Sequence, residues 1–183
     1  MSNRKAILIN GVPASGKTAI GKIISNHYHA PLLSLDVIKE AIFDVMGVGD
    51  RDYSRLLTRT SKKIIWSIIK NFPEETLIFV DAWFGKPPHN ELLIEIENAN
   101  ITVLAEIWCY ASSEVLRERY VTRVDHRHRG HPGREYGNEL FELSKVVSPT
   151  NICPVYCVDT TDFSKINYQR MILWIDNELN LKT

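Results

Sequence analysis

Short apolar runs alternate along the chain with longer stretches in which apolar residues recur every three or four positions. Runs rich in Ile, Val and Leu are typical of strands buried on both faces of a sheet, whereas the three-to-four spacing is typical of amphipathic helices. The pattern predicts five strands. They lie at Lys5–Asn10, Leu32–Leu35, Thr76–Val80, Ile101–Trp108 and Val155–Val158.

The stretches between these strands carry helix signals. Asp36 is a candidate N-cap for the helix after the second strand, and Gly47 is a candidate stop. The predicted helices are Gly16–His27, Asp36–Met46, Tyr53–Phe72, Pro87–Glu97, Ser112–Asp125 and Ser164–Leu179. Strands that alternate with helices predict one α/β domain over residues 1–183, with a parallel sheet covered on both faces.

Composition narrows the class of protein. The chain has 183 residues and is 44% hydrophobic and 24% charged, which is typical of a globular protein. It carries 22 Lys and Arg against 22 Asp and Glu, and this balance argues against a nucleic-acid-coating protein, which usually has a basic excess. No apolar run approaches the roughly 20 residues that span a bilayer, and the apolar stretch after Lys5 is too short for a signal peptide. We therefore expect a cytoplasmic protein without a membrane partner, of undetermined oligomeric state.

The cysteine content agrees with that compartment. Cys109, Cys153 and Cys157 leave an odd count, which argues against a disulfide framework. We expect these residues to be buried structural thiols.

A glycine-rich motif follows the first predicted strand. Residues 11–18 (GVPASGKT) match G-x-x-x-x-G-K-[ST] at every position. Between a buried strand and an amphipathic helix, such a loop turns backbone N–H groups around phosphates, and the helix N-terminus adds its positive end. Lys17 is expected to contact the β- and γ-phosphates and Thr18 to coordinate Mg²⁺. The candidate nucleotide-binding residues are Gly11, Pro13, Ala14, Ser15, Gly16, Lys17, Thr18 and Ala19.

Carboxylates follow the second and third predicted strands. Because the carboxyl ends of parallel strands line the ligand crevice, we expect Asp36 and Asp81 to face the same cleft as the glycine-rich loop. Asp36 is a candidate base for an acceptor hydroxyl, and Asp81 is a candidate ligand of Mg²⁺ or of the acceptor. Lys39 is a candidate for an anionic or polar substrate group, although a solvated lysine is the simpler interpretation. Trp83 and Phe84 are candidate apolar walls of the acceptor site.

An arginine-rich segment precedes the last strand. Six arginines lie between residues 117 and 134 against two carboxylates. Arg119, Arg123 and Arg127 are spaced by four and share one face if the helix persists that far; the stretch 126–138 is predicted to be a lid. Arginines on a closing lid stabilise a transferring phosphoryl group. The alternatives are a solvated basic face, a contact with an RNA backbone and a histidine metal site. The glycine-rich loop upstream favours the lid.

Taken together, several segments resemble the P-loop small-molecule kinases. The segments are ILINGVPASGKT, LDVIKEAI, LIFVDAWFG, RERYVTRVDHRHRGH and VDTTD. The resemblance is to the zeta-toxin-like and chloramphenicol phosphotransferase-like group, and more distantly to shikimate and gluconate kinases. It implies a three-layer P-loop NTPase fold with strand order 2-3-1-4-5, and ATP and Mg²⁺ as cofactors. For individual residues it implies that Asp36 is the base, that phosphate-binding arginines are among Arg119, Arg123 and Arg127, and that adenine is contacted near Thr160. The glycine run of shikimate kinase after the third strand is missing here, which argues against a shikimate-like substrate.

These observations predict a kinase that transfers the γ-phosphoryl group of ATP to a hydroxyl of a small molecule. The N-K-x-D motif of GTPases is missing from the sequence, which favours a compact phosphotransferase. The alternatives are a nucleotide or polynucleotide 5′-hydroxyl kinase, and a nucleotide-binding regulator with little transfer activity if Asp36 faces away from the cleft.

Overall fold

Five parallel strands form one sheet. The computed structural model describes residues 4–181, so the first three and last two residues of the predicted domain lie outside that range. The strands are β1 (Arg4–Asn10), β2 (Leu32–Ser34), β3 (Leu77–Asp81), β4 (Ile101–Tyr110) and β5 (Val155–Asp159). Their order is β2-β3-β1-β4-β5, with β1 paired in parallel to both β3 and β4. The predicted α/β architecture and strand order are confirmed.

Helices connect the strands. They are α1 (Lys17–His27), α2 (Leu35–Met46), α3 (Arg51–Lys70), α4 (Asn90–Asn98), α5 (Ser113–Arg123), α6 (Tyr136–Ser144) and α7 (Tyr168–Glu178), with 3₁₀ turns at Val124–His126 and Phe163–Lys165. Asp50 caps α3, since its carboxylate accepts a hydrogen bond of 2.8 Å from the backbone N–H of Tyr53. Within residues 4–181, no helix is both long and apolar enough to cross a membrane.

Apolar side chains on both faces of the sheet form two cores. Ile7 and Ile9 of β1 pack on the face covered by α1 and α7, and Leu8 packs on the face covered by α3 and α4. Successive strand residues point to opposite faces, so one uninterrupted apolar run supplies both cores. These three side chains are fully buried, and burial of a side chain of this size contributes about 1.5–3 kcal/mol.

A third apolar cluster lies beyond the carboxyl end of β1. Leu116 and Tyr120 of α5 pack there with Leu140 of α6 and with Val12 and Ala14 of the glycine-rich loop. All five residues are buried. The cluster therefore supports the loop and brings α5 and α6 to the edge of the sheet where ligands bind in open α/β proteins.

The structure corrects two predictions that concern the site. Ser34, not Asp36, is the N-cap residue of α2, because the helix begins at Leu35 and places Asp36 in its first turn. Helix α5 ends at Arg123, so Arg127 lies beyond it and the shared helical face of the three arginines does not form.

Other boundaries also differ. Helix α6 begins inside the predicted lid and was missing from the predicted helices. Pro87 and Pro88 precede α4, which begins at Asn90, and the last helix begins at Tyr168 after a separate 3₁₀ turn.

The cysteines differ from the expectation as well. Cys109 is buried, Cys153 is partly buried and Cys157 is exposed, and all three are free. The prediction of a buried thiol is therefore wrong for Cys157, on the edge strand β5, and only partly right for Cys153.

Candidate active site

The glycine-rich loop, residues 11–18, has the curled backbone of an anion-binding loop. Its φ angles are positive at three positions, 150° at Gly11, 67° at Ala14 and 79° at Gly16. Gly11 also has no room for a side chain, because a Cβ there would lie 2.4 Å from the carbonyl oxygen of Cys109. Positive φ values let successive N–H groups turn toward one point, and the loop leads directly into α1.

A buried polar network fixes the start of the loop. The Asn10 carboxamide oxygen accepts hydrogen bonds from the backbone N–H groups of Gly11 (2.8 Å) and Phe84 (3.2 Å). Its amide nitrogen donates to Glu106 Oε1 at 2.8 Å. Glu106, fully buried, also accepts from the backbone N–H and the hydroxyl of Thr150. Asn10 and Glu106 together therefore hold the loop, the segment after β3 and the segment before β5 in register.

A second contact fixes the middle of the loop from β5. Thr160 is fully buried, and its hydroxyl lies 2.9 Å from the Ser15 carbonyl oxygen and 3.0 Å from that of Tyr110. Arg119 donates to the carbonyl oxygens of Thr160 (2.7 Å) and Thr161 (3.1 Å). Thr160 thus has no side-chain surface for a base to contact, and Arg119 holds the turn after β5.

The interior of the loop has polar groups without protein partners. The Ser15 hydroxyl is buried and has no hydrogen-bond partner among residues 4–181. The ammonium of Lys17 reaches only the Val12 carbonyl, at 3.4 Å. Pro13 lies at the mouth of the loop and Ala19 is exposed on α1. An orphaned hydroxyl, a weakly engaged lysine and inward N–H groups fit the phosphates of a nucleotide.

Oxygen ligands lie next to the loop. Asp81 Oδ2 accepts hydrogen bonds from Thr18 Oγ1 at 2.7 Å and from Ser34 Oγ at 3.1 Å. Residues 4–181 contain no group of three or more His, Cys, Asp or Glu that could hold a metal ion by themselves. A hydroxyl and one carboxylate nevertheless fit Mg²⁺, which binds through one or two protein oxygens and takes its remaining ligands from phosphates and water.

A large cavity opens beside the loop. Its volume is about 990 Å³, and its lining includes Lys17, Asp36, Lys39, Asp81 and Trp83. The expectation that Asp36 and Asp81 face the same cleft as the loop agrees with this lining. Phe84 does not line the cavity, because its side chain packs in the core with α3 and α4.

Asp36 is surrounded by positive charge. Burial alone would raise the pKa of its carboxyl, but the charges of Lys17, Arg127 and Lys39 outweigh burial, and the pKa is lowered. Arg127 forms an ion pair with Asp36 at 3.0 Å. Asp36 is therefore a carboxylate at neutral pH and faces Lys17 across the cavity.

Lys39 is not the solvated lysine of the simpler interpretation. Its side chain is 6% exposed, and its ammonium donates to the Ser54 hydroxyl at 2.9 Å and lies 5.4 Å from the centre of the Phe43 ring. Burial lowers its pKa, an effect that Arg127 reinforces and Asp36 opposes.

The lid segment is fastened to α2 through a row of acids. Asp36, Glu40 and Asp44 are spaced by four and so share one helix face. Asp36 pairs with Arg127. Glu40 lies 2.6 Å from His131 Nε2, and Asp44 lies 3.1 Å from His128 Nε2. The contacts explain why the lid lies against this helix.

The hydrogen bonds of His131 show which of its ring nitrogens carries the proton. Its Nδ1 lies 3.0 Å from a guanidinium nitrogen of Arg127, and because arginine only donates, Nδ1 accepts. The proton is then on Nε2 and is donated to Glu40. Burial, followed by the charge of Arg127, lowers the pKa of His131 below 6.5, although Asp36 and Glu40 oppose the shift. His131 is therefore neutral in this arrangement.

Arg123 is half-buried and forms no ion pair with a carboxylate of residues 4–181. Its guanidinium lies 5.8 Å from the centre of the Tyr120 ring, and its Nε is buried without a hydrogen-bond partner in the described range. Burial and the charge of Arg127 lower its pKa. A half-buried guanidinium without an ion pair is stabilised when an anion binds next to it.

Sequence reasoning missed two parts of the site. The first is the contact of His131 and His128 with α2, for which the four-residue spacing of the α2 acids is a signal. The second is the cavity wall formed by α3, where Arg51, Arg55 and Arg59 have the same spacing.

Comparisons with known proteins find that this chain is similar to kinases. No family model matches the chain. Adenylate kinase 8 of Mus musculus is 26% identical over 126 residues, which make up 67% of this chain and 26% of that protein. The chain thus spans about a quarter of the length of this curated relative.

Solved structures match over nearly the whole chain. A putative kinase from Chloroflexus aurantiacus is 26% identical with a TM-score of 0.82, covering 97% of this chain and 99% of that one. Kti12 of Chaetomium thermophilum, solved in complex with ADP-AlF3, is 16% identical with a TM-score of 0.67 over 96% and 98%. Shikimate kinase from Aquifex aeolicus is 16% identical with a TM-score of 0.56 over 97% and 99%. The chain has a P-loop kinase fold; the resemblance to the zeta-toxin-like and chloramphenicol phosphotransferase-like group stays a prediction.

Proposed function

We propose that this P-loop kinase fold carries an ATP- and Mg²⁺-dependent kinase that phosphorylates a hydroxyl of a small molecule. The observation that carries the proposal is the shared cavity, in which the carboxylate of Asp36 and the ammonium of Lys17 line one space at the mouth of the glycine-rich loop. The alternative of a regulator depended on Asp36 facing away from the cleft, and its position in the lining favours an enzyme.

In this proposal the loop and the lid bind the phosphates. Inward N–H groups and Lys17 hold the β- and γ-phosphates, and Arg123 and Arg127 neutralise charge on the transferring group. When bound, Mg²⁺ would neutralise further phosphate charge, and Thr18 Oγ1 and Asp81 Oδ2 are the oxygens that would hold it, directly or through water.

Asp36 acts mainly by orientation. It accepts a hydrogen bond from the acceptor hydroxyl, whose oxygen forms a bond to the γ-phosphorus while the bond to the ADP oxygen breaks. The hydroxyl proton passes to Asp36. Phosphoryl transfer proceeds through a loose transition state, so little proton removal is needed early, and a carboxylate with a lowered pKa is suited to the task.

Two substitutions test the proposal. Asp36→Asn keeps the shape of the side chain but removes its charge, and we expect kcat for transfer to fall about 100-fold or more while the Kd for ATP stays within about threefold. Lys17→Ala is expected to abolish transfer. ADP release with a panel of hydroxyl compounds measures transfer, and titration calorimetry measures ATP binding.

Denaturant unfolding of both variants serves as the control for folding. Full turnover by Asp36→Asn would remove Asp36 from the mechanism, and full turnover by Lys17→Ala would overturn the kinase proposal.

A further inference from the structure

One wall of the cavity is strongly basic. Arg51, Arg55 and Arg59 of α3 line it, and their spacing places them on one helix face over about 12 Å. Lys86, in the segment after β3, adds a fourth cation. This row belongs to α3 and is separate from the glycine-rich loop and the lid arginines that account for the phosphates of ATP.

Among the described residues, two of these four cations form ion pairs and two do not. Arg51 pairs with Glu139 of α6 across the rim. Arg55 pairs only with Asp52, one turn away on the same helix, and both side chains are largely exposed, which makes the pair weak. Within residues 4–181, Arg59 and Lys86 form no ion pair.

Lys39 places a buried cation deeper in the same cavity. Its hydrogen-bond partner is the neutral Ser54 hydroxyl. Within residues 4–181 the charge of Asp36 acts on Lys39, but no carboxylate forms an ion pair with it. A buried ammonium with a neutral partner lowers stability relative to a paired one. An anion from the cavity would complete its hydrogen bonds, since an ammonium has three donors.

We infer that the acceptor carries an anionic group, a phosphate or a carboxylate, in addition to the hydroxyl that is phosphorylated. Lys39 and Ser54 bind this group near Asp36, and Arg55 and Arg59 bind further anionic oxygens along α3. The inference rests on the proposed kinase function and names the class of its substrate. Neutral acceptors bind less tightly because they leave the buried ammonium of Lys39 without an anionic hydrogen-bond partner.

Matched acceptors test the inference. Glycerol is compared with glycerate and glycerol 3-phosphate, and glucose with glucuronate and glucose 6-phosphate, so that each neutral compound has a carboxylate and a phosphate counterpart. We expect Lys17-dependent ADP release with charged members in preference to the neutral one. Preference between the carboxylate and phosphate arms identifies which anion is bound.

Substitution of Lys39 tests the role of that residue. Lys39→Met keeps the length of the buried side chain and removes its charge, so we expect it to fold. For a charged acceptor, KM should rise about 10- to 100-fold, the loss typical of a hydrogen bond to a charged group, with kcat within about threefold and KM for ATP unchanged. Arg59→Gln should act in the same direction. Lys63→Gln is the matched control, because Lys63 lies on the same helix but pairs with Glu95 outside the cavity.

A binding measurement separates this inference from the kinase proposal. Calorimetric titration of the six compounds into the protein saturated with Mg²⁺ and β,γ-methylene-ATP requires no transfer. Tighter binding of charged members that is lost in Lys39→Met supports the inference even if no ADP is released, in which case the kinase proposal fails alone. The inference is overturned if neutral and charged members bind or turn over equally, or if neither binds. Lys17-dependent transfer would then still be evidence for the kinase.

Discussion

At the scale of single residues, the site depends on a buried carboxylate that touches no ligand. Glu106 lies in β4, next to the central strand, and is fully buried. Its oxygens accept hydrogen bonds from Asn10 and Thr150. A buried charge is stable when its oxygens are all hydrogen-bonded. Because Asn10 in turn accepts from Gly11, the hydrogen bonds of Glu106 set the first residue of the glycine-rich loop.

Glu106→Gln should therefore weaken both folding and nucleotide binding. The new amide directs N–H donors at groups that already donate, and we expect the free energy of unfolding to fall by about 2–4 kcal/mol, measured by urea denaturation. Glu118→Gln, at an exposed position on α5, is the control and should change it by less than about 0.5 kcal/mol. A Glu106 variant as stable as this control would show that the network is unimportant.

At the scale of elements, the lid is held on α2 in part by His131, whose pKa is lowered. His131 is neutral, accepts from Arg127 and donates to Glu40. Protonation of Nδ1 would remove the acceptor and place a second cation against Arg127. The attachment of the lid thus depends on the deprotonated imidazole.

The sign of the pH dependence follows from the lowered pKa of His131. The unfolded chain binds the proton first as pH falls below 6.5, so the stability contributed by His131 is complete above that value and is lost between it and the lower folded pKa. Each unit between the two pKa values corresponds to about 1.4 kcal/mol. His131→Gln keeps an acceptor and a donor without titrating. We expect urea denaturation from pH 7.5 to 5 to give a flatter curve for this variant than for wild type, and parallel curves would contradict the assignment.

Elements defined by a long periodic pattern could be predicted, whereas those defined by tertiary contacts could not. The strands and α1 to α3 follow from apolar spacing, but α6 is short, contains Gly137 near its start and follows an arginine-rich stretch. Leu140 is its one fully buried side chain, and it is buried against α5, a partner that local sequence does not reveal. In the same way, Arg119 and Arg123 look equivalent in sequence, but only Arg119 is engaged by the turn after β5.

The same distinction applies to the candidate site: residues in a local motif could be predicted, and residues brought together by tertiary contacts could not. The glycine-rich loop has a local motif that fixes its shape, so its residues could be assigned from sequence. The pairs between α2 and the lid join residues 84 or 91 positions apart, and a spacing rule within one helix cannot identify the other partner.

At the scale of the whole molecule, the loop is shaped by several strands together. Asn10 is the last residue of the central strand β1, Glu106 lies in β4 and Thr160 follows β5. A nucleotide that needs this shape binds the folded chain and not the unfolded one. Binding and folding are therefore thermodynamically linked.

Mg²⁺ and ATP should consequently raise the melting temperature. At a concentration 100 times the Kd, the added stability is about 2.7 kcal/mol, which corresponds to roughly 5–10 °C for a chain of this size. Scanning calorimetry with ATP and with GTP measures the shift and the base preference together. Lys17→Ala should show a much smaller shift at the same concentration. Equal shifts for the variant and wild type would place the nucleotide elsewhere.

The buried network around Asn10 also bears on the order in which the chain is made. The glycine-rich loop leaves the ribosome before Glu106, Thr150 and Thr160, which hold its backbone. A nascent chain that ends before Thr150 lacks two of the three residues that hold the loop in its phosphate-binding shape. Nucleotide binding is therefore acquired only after Thr160 has been made, and a product truncated before Thr150 would not sequester ATP.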